Sequence, residues 1–480
     1  MIRNSISVMF LLLLTPFFAL VNAIPYECPS NAIFNRSDTV NDLYVFPNYW
    51  NSSSTEAPEY DNDLECLWTF FIPQGSFVQL SITAETPSQA AITVINCAGN
   101  KEIVPSTANN EPYFLVNPMF RVHLNVPGNI TGTFAFTVKW KNFPQVQPRY
   151  LDLASDPMVF SVINSIVLTS TSRVSLIASS ASDIDLNSYL RMFAVFDGCS
   201  TNATYLTNLK QVASSRNQLI SSGKSLMIVN LIPGSIFGNF FVVQDYENVK
   251  QFNQYKLADC VNQASCSIGL DARDGVAGLV SISLLDRYIN NIEVPSGESS
   301  FGVYYGANYT GTIEDVPQKF NNYMTTITLN TGSALLEYST VKPTTWQKSS
   351  NKRKGFFASK NYGVLSSTQD VDEILNGKQE YLYGIQIYEH GLVGNATLKI
   401  STYDASGRIQ SSNSYNAMTP PSIIKTTYQC ASFAVTYKTN GEITTGFNMV
   451  FQISENSFFD SSSNGSMLPW LALLILFFMQ

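Results

Sequence analysis

The chain has two histidines, His123 and His390, and little else that titrates near neutral pH in its unperturbed state. His123 alternates with Val122 and Leu124, which places it on the solvent face of a strand. His390 follows Tyr388-Glu389 at a strand end. Neither has a neighbour that would make it a general base, and two isolated histidines do not make a metal site. There is no G-x-S-x-G elbow and no phosphate loop. A glycosidase needs only two carboxylates brought together in space, but no spacing here singles out such a pair. The expectation is therefore a protein that is not an enzyme, with no catalytic residue, no cofactor and no resident metal. Tyr304-Tyr305 and Tyr381-Leu382-Tyr383 have the chemistry to stack sugars. Tyrosine is also a good strand former, which is the plainer reading.

The remaining reactive side chains are seven cysteines, Cys28, Cys66, Cys97, Cys199, Cys260, Cys266 and Cys430. None has the C-x-x-C spacing of a zinc site. Most are expected to pair in an oxidising compartment, and the odd count leaves one over. Cys260 and Cys266 are near enough in sequence to close a small loop. Sequons for N-glycosylation stand at Asn35, Asn51, Asn129, Asn202, Asn308 and Asn395, with another at Asn464.

Both ends support that compartment. Arg3, the apolar run Val8 to Leu20 and the small-residue exit Val21-Asn22-Ala23 read as a signal peptide over residues 1–23. Met467 to Met479 is too short to span a bilayer, which takes about 20 apolar residues. The small residues Asp460 to Ser466 precede it, the order of a glycosylphosphatidylinositol (GPI) signal over 461–480, with Ser461, Ser462 or Asn464 as the attachment site. The chain is expected at the cell surface, on the extracellular face of the plasma membrane, or otherwise secreted. Charged residues are 13% of the 480 and the net charge is −8. A surface with no basic stripe speaks against nucleic acid as a partner. The one basic cluster, Lys348 to Lys354, reads as a solvated loop.

Strands must position all of this. Phe77 to Ile82, Phe134 to Val138, Ser225 to Val229 and Phe433 to Tyr437 show β alternation, and long helical periodicity is nearly absent. Three segments align without gaps: Phe120 to Leu124 before Gly128-Asn129-Ile130 and Phe134; Leu226 to Val229 before Gly234-Ser235-Ile236 and Phe240; Phe433 to Thr436 before Gly441-Glu442-Ile443 and Phe447. Each reads as strand, Gly turn, strand, with the Gly at positive φ. The first two glycines are 106 residues apart and the next two 207, so a degraded unit is expected between, at Ile327 to Gly332. A repeat of that length is a domain. The predicted organisation is all-β, with sandwiches over 28–141, 150–250, 262–343 and 356–455. Lys141 to Pro148 reads as a stiff linker.

The first unit resembles a known family. Leu64-Glu65-Cys66-Leu67-Trp68, Ile72-Pro73-Gln74-Gly75 and Val78 to Ile82 are similar to the opening of CUB domains. With Cys28, Tyr44 to Trp50 and Phe134 to Trp140, the segment looks like the CUB-like domain of nematode secreted proteins. Val195-Phe196-Asp197-Gly198 and Leu219 to Val243 resemble parts of the same domain, as does Cys430 to Ile453. The resemblance implies tandem antiparallel jelly-roll sandwiches and a Cys28–Cys66 disulfide. It also implies an association with innate immune and stress responses. Many CUB domains bind calcium through acidic residues, one of them in an Asp-Gly step. The first unit has Asn96 there. The second keeps Asp197 with Asp183 and Asp185 upstream, an incomplete set for a hard cation, so Asp197 is expected to cap a tight turn.

These readings converge on a GPI-anchored glycoprotein that binds a protein or a microbial-surface or glycan ligand. A lectin on the same scaffold and a structural coat or matrix component are the alternatives.

Overall fold

The computed structural model describes residues 29–455 except 30, 61–62, 88–90, 129–130, 146, 154–156, 161–163, 180–187, 216, 235–240, 259–263, 283–285, 297–299, 305–308, 313–314, 321–323, 361 and 363–364. The segments read as signal peptide and anchor signal, the latter with Ser461, Ser462 and Asn464, and Cys28, Asn129, Cys260 and Asn308 lie outside the described residues. Two compact units are present, one built from most of residues 29–141 and one chiefly from residue 142 onward.

The first unit contains β1 (Ala32–Phe34), β2 (Leu43–Phe46), β3 (Glu59–Tyr60), β4 (Leu64–Phe71), β5 (Ser76–Glu85), β6 (Ile92–Ile95), β7 (Lys101–Ile103), β8 (Thr107–Val116), β9 (Met119–Val126) and β10 (Gly132–Asn142). They form the sheets β1-β4-β9-β6-β7 and β2-β10-β5-β8. The alternation in β4 and β9 points Trp68, Phe70, Phe120, Val122 and Leu124 inward, where all are buried. Trp68 packs on Phe46, Phe136 and Phe134 with ring centroids 4.6, 5.3 and 5.7 Å away. Aromatic pairs of this kind add to the burial term.

A second sandwich follows: β11 (Arg149–Asp152), β12 (Met158–Phe160), β13 (Ser165–Thr169), β14 (Val174–Ala178), β15 (Phe193–Asp197), β16 (Thr204–Asn208), β17 (Leu219–Ile220), β18 (Ser225–Asn230) and β19 (Phe241–Asp245). The third contains β20 (Gln254–Leu257), β21 (Ser265–Ala272), β22 (Ala277–Ile282), β23 (Arg287–Ser296), β24 (Ser300–Tyr304), β25 (Tyr309–Thr312), β26 (Gln318–Phe320), β27 (Met324–Leu329) and β28 (Gly332–Ser339). Leaving aside the short β3, the strand order is the same in all three. One sheet runs first-third-eighth-fifth-sixth and the other second-ninth-fourth-seventh. In each the first strand pairs parallel with the third. The third sandwich therefore begins with β20, upstream of residue 262.

The last region forms one six-stranded sheet in the order β29-β34-β30-β33-β31-β32, from β29 (Lys354–Ala358), β30 (Val371–Glu389), β31 (Thr397–Tyr403), β32 (Ile409–Tyr415), β33 (Thr426–Lys438) and β34 (Asn448–Ser454). The same order is hidden in it. The first part of β30 pairs with β33 as a third strand pairs with an eighth, and its later part pairs with β34 as a fourth pairs with a ninth. The register shift between Asn376 and Tyr381 marks the join. Gly377 lies there against the Ala431 carbonyl, with no room for a Cβ. Bulges bend a sheet, and here the two parts of β30 enclose one core with Leu375, Tyr383, Ile385, Phe433, Val435, Met449 and Phe451.

Gly128, Gly234 and Gly441 all have positive φ, at 82°, 87° and 88°. They do not make hairpins, however. The strands on either side do not pair with each other. The chain crosses from one sheet to the other, or past the intervening β30. Phe134, early in β10, and Phe447, just before β34, are fully buried, whereas Ile443 is 66% exposed.

Within the second unit the sandwiches share cores. Ile177 and Val242 pack with Phe252, Tyr255, Leu257 and Val280 across the second and third. Phe356 and Ala358 pack with Leu279, Ile289, Phe320 and Leu336 across the third and the last sheet. The edge of β29 is closed by side chains: Gln318 bonds both the N–H and the carbonyl of Phe356, and Asp315 accepts from the Lys354 N–H. Arg353 is buried and lies over the Trp346 ring at 5.2 Å. The basic cluster is therefore only partly a solvated loop, because the guanidinium stacks on an aromatic core. Phe143, in the segment read as a linker, is buried too.

Candidate interaction surface

The outward face of the first five-stranded sheet departs from its counterparts. In the second and third sandwiches, β13, β18, β22 and β27 are buried on both faces almost throughout. In the first, β9 and β6 alternate buried with half-exposed or exposed residues, and β7 has no buried residue at all. One side of this sheet meets solvent.

Register places the outward residues in rows. Leu67, His123, Thr93 and Ile103 form one row; Ile33, Thr69, Arg121, Ile95 and Lys101 form the next; Phe71 and Met119 lie beyond. Ile33 and Ile103 are each 58% exposed and Phe71 is 40% exposed. His123 sits as the alternation predicts, half-buried, with Nε2 3.5 Å from Glu65 Oε1. The result is an apolar face with Arg121 and His123 on its central strand, Lys101 on its edge strand and one carboxylate at its margin, on a chain whose net charge is −8. Sequence reading found His123 and missed the rest. The signal was the polar half of the alternation, Arg121-His123-Asn125, set against Ile95 and Ile103 on strands too short to show periodicity.

The other named residues are dispersed. Asn35, Asn51, Asn202 and Asn395 are all exposed, outside the strands that make this face. Asn51 Oδ1 accepts from the Ser53 N–H at 3.1 Å. Asn35 Nδ2 donates to Asp38 Oδ2 at 3.1 Å. Asp197 accepts from the Ser222 N–H at 3.0 Å, while Asp183 and Asp185 lie outside the described residues. Asn96 Oδ1 closes its own turn by accepting from the Ala98 and Asn100 N–H groups. Among the described residues no group of three or more His, Cys, Asp or Glu could hold a metal ion.

Tyr383 is fully buried, donates to Ser349 Oγ and stacks on Phe433. It is core, not a sugar platform. The Tyr304 side chain and all of Tyr305 lie outside what is described. His390 Nδ1 accepts from the Leu392 N–H at 3.3 Å, a turn contact.

Cys66 and Cys266 are disulfide-bonded; their partners lie outside the described residues. Cys97, Cys199 and Cys430 are free, so more than one thiol is left over. Burial pushes Cys97 up to about 11 and Cys430 up to about 12, which keeps both as thiols at neutral pH.

Residues 23–144 match the CUB-like domain family, and residues 152–231 match a domain of unknown function (DUF7592). The chain thus carries a CUB-like domain. No curated protein matches. Among solved structures, the chain is similar to the CUB1-EGF-CUB2 domains of rat MASP-1, at 9% identity and a TM-score of 0.18, over 64% of this chain and 99% of that one. It is also similar to the full extracellular region of zebrafish Gpr126/Adgrg6, at 12% identity and a TM-score of 0.19, over 66% and 53%. Scores this low carry no argument, and the CUB-like assignment rests on the family match. Among the described residues no helix is long and apolar enough to cross a membrane.

Proposed function

We propose that this chain is a non-enzymatic extracellular glycoprotein of tandem CUB-like sandwiches. In this reading it is held at the outer leaflet by a GPI anchor and binds a protein or microbial surface in an innate immune or stress response. The Cys28–Cys66 pairing belongs to the same reading. The observation that carries it is the outward face of the first five-stranded sheet. Its apolar residues flank Arg121 and His123 on the central strand, with Lys101 at the edge, and apolar area around a charged anchor is the build of a recognition surface. The CUB-like match and the exposed sequons support an extracellular setting.

The test uses the full chain on intact cells. Phosphatidylinositol-specific phospholipase should release it, and the released protein should bind intact bacterial or host cells saturably. Arg121→Glu with Ile103→Ser should remove most of that binding while leaving release unchanged. Retention on the cells after treatment would sink the anchor. Binding unaffected by the double variant would sink the surface.

A further inference from the structure

We propose that β32, the open edge of the C-terminal sheet, pairs with β32 of a second copy of this chain across a two-fold axis. This goes beyond the function proposed above and concerns another surface.

Unpaired strand edges invite association, and folded proteins normally blunt them with brevity, charge, proline, a bulge or a cover. Nearly every other described edge is blunted. Most are five residues or fewer. The longer β8 contains Pro112 and the positive φ of Asn110. The longer β21 carries Asp271, whose N–H donates to Gln254, and the disulfide-bonded Cys266. The far edge of the same C-terminal sheet is capped by Gln318 and Asp315.

β32 has no charge and no proline, and its one irregularity, the register shift opposite Thr402 and Tyr403, is confined to its Ile409–Ser411 end. Its seven residues are Ile409-Gln410-Ser411-Ser412-Asn413-Ser414-Tyr415. Among the described residues its only strand partner is β31, and Gln410, Ser412, Asn413 and Ser414 are exposed.

A second copy fits this edge. Antiparallel pairing centred on Ser412 sets Ser411 against Asn413 across the regular part of the strand, with no like charges opposed. The strand already makes hydroxyl pairs of the kind required: Ser401 with Ser412 at 3.2 Å and Thr402 with Ser411 at 2.8 Å. The loop that follows adds apolar surface. Asn416 Oδ1 accepts from the Met418 and Thr419 N–H groups and holds Met418 93% exposed, and Ile423 and Ile424 are 62% and 74% exposed. Asn395 lies beyond the end of the ladder where Tyr415 pairs with Leu398, so a glycan there flanks the edge without covering it.

The experiment is sedimentation of the purified, glycosylated full chain in mild detergent, up to about 100 µM, the range of a weak but specific contact. The expected result is a concentration-dependent dimer. Ser412→Lys should weaken it at least tenfold, and so should Ser412→Glu. An equimolar mixture of the two should restore it, because opposite charges then face each other. Unchanged thermal midpoints show that both variants fold. A protein monomeric throughout, a dimer indifferent to Ser412→Lys, or variants whose mixture fails to recover would each overturn the proposal.

Discussion

Trp346 and Glu373 meet in the interior between the third sandwich and the C-terminal sheet. The indole N–H donates to Glu373 Oε2 at 2.9 Å, while Glu373 Oε1 takes Lys319 Nζ at 2.5 Å. Asp286 holds the same ammonium at 2.8 Å from the solvent side. Burial pulls the Lys319 pKa down, and the two carboxylates more than offset it. Glu373→Ala should cost about 2 kcal/mol, because it leaves the buried Trp346 N–H without its acceptor and the Lys319 ammonium with Asp286 alone. Glu373→Gln, which keeps an acceptor for Trp346, should cost less. Equilibrium denaturation ranks the two, and equal losses would show that the charge is irrelevant.

Asp245 should make the second sandwich acid-sensitive. Burial pushes its carboxyl up, but donors outweigh that: the hydroxyls of Ser172 and Thr171 and the N–H groups of Glu247 and Thr171 hold it down at about 2. A depressed folded pKa gives stability that is present above the unfolded value and disappears as pH falls. The drop from 3.8 to about 2 is worth about 2 kcal/mol. The stability difference between the wild type and Asp245→Asn should be full at neutral pH and shrink between pH 4 and 2. A difference independent of pH would contradict this.

Two glycines at nearly the same φ should respond differently to alanine. Gly441, at 88°, has open space around a built Cβ, so Gly441→Ala should cost only backbone strain, about 1 kcal/mol. Gly446, at 91°, is pressed against Gln369 and Ser359, which bond each other and the surrounding backbone. Gly446→Ala should lower the thermal midpoint several times further.

Thiol labelling should sort the free cysteines. Cys199 is exposed, and Cys97 and Cys430 are half-buried and fully buried. A maleimide should modify Cys199 promptly in the native protein and Cys430 only after unfolding. Fast native labelling of Cys430 would mean that the core around Tyr383 opens.

Fold class was legible because alternation is local: β5 and β9 can be read from their own residues. The recurring Gly and Phe marked a real connection, yet its meaning required partners. A Gly turn between two strands looks the same whether the strands pair or belong to different sheets. The third sandwich repeats the strand order without repeating the residues, since order is fixed by which strands meet. β30 hid its two roles because the Asn376-Gly377 turn dipeptide at the register shift lies inside one continuous strand and reverses nothing. The outward face around Arg121 is assembled from five strands, and Lys319 and Glu373 are 54 residues apart. Neither has a spacing to detect. Ser412 escaped notice because a run of serines and asparagine reads as loop.

The last strand has a mechanical consequence. β34 lies between β29 and β30, hydrogen-bonded to both. Force applied where the chain leaves the sheet, beyond Glu455, acts along that strand. It loads both ladders in shear at once and cannot peel one edge open bond by bond. The C-terminal sheet thus has the shear geometry that resists extraction of its last strand from its own end.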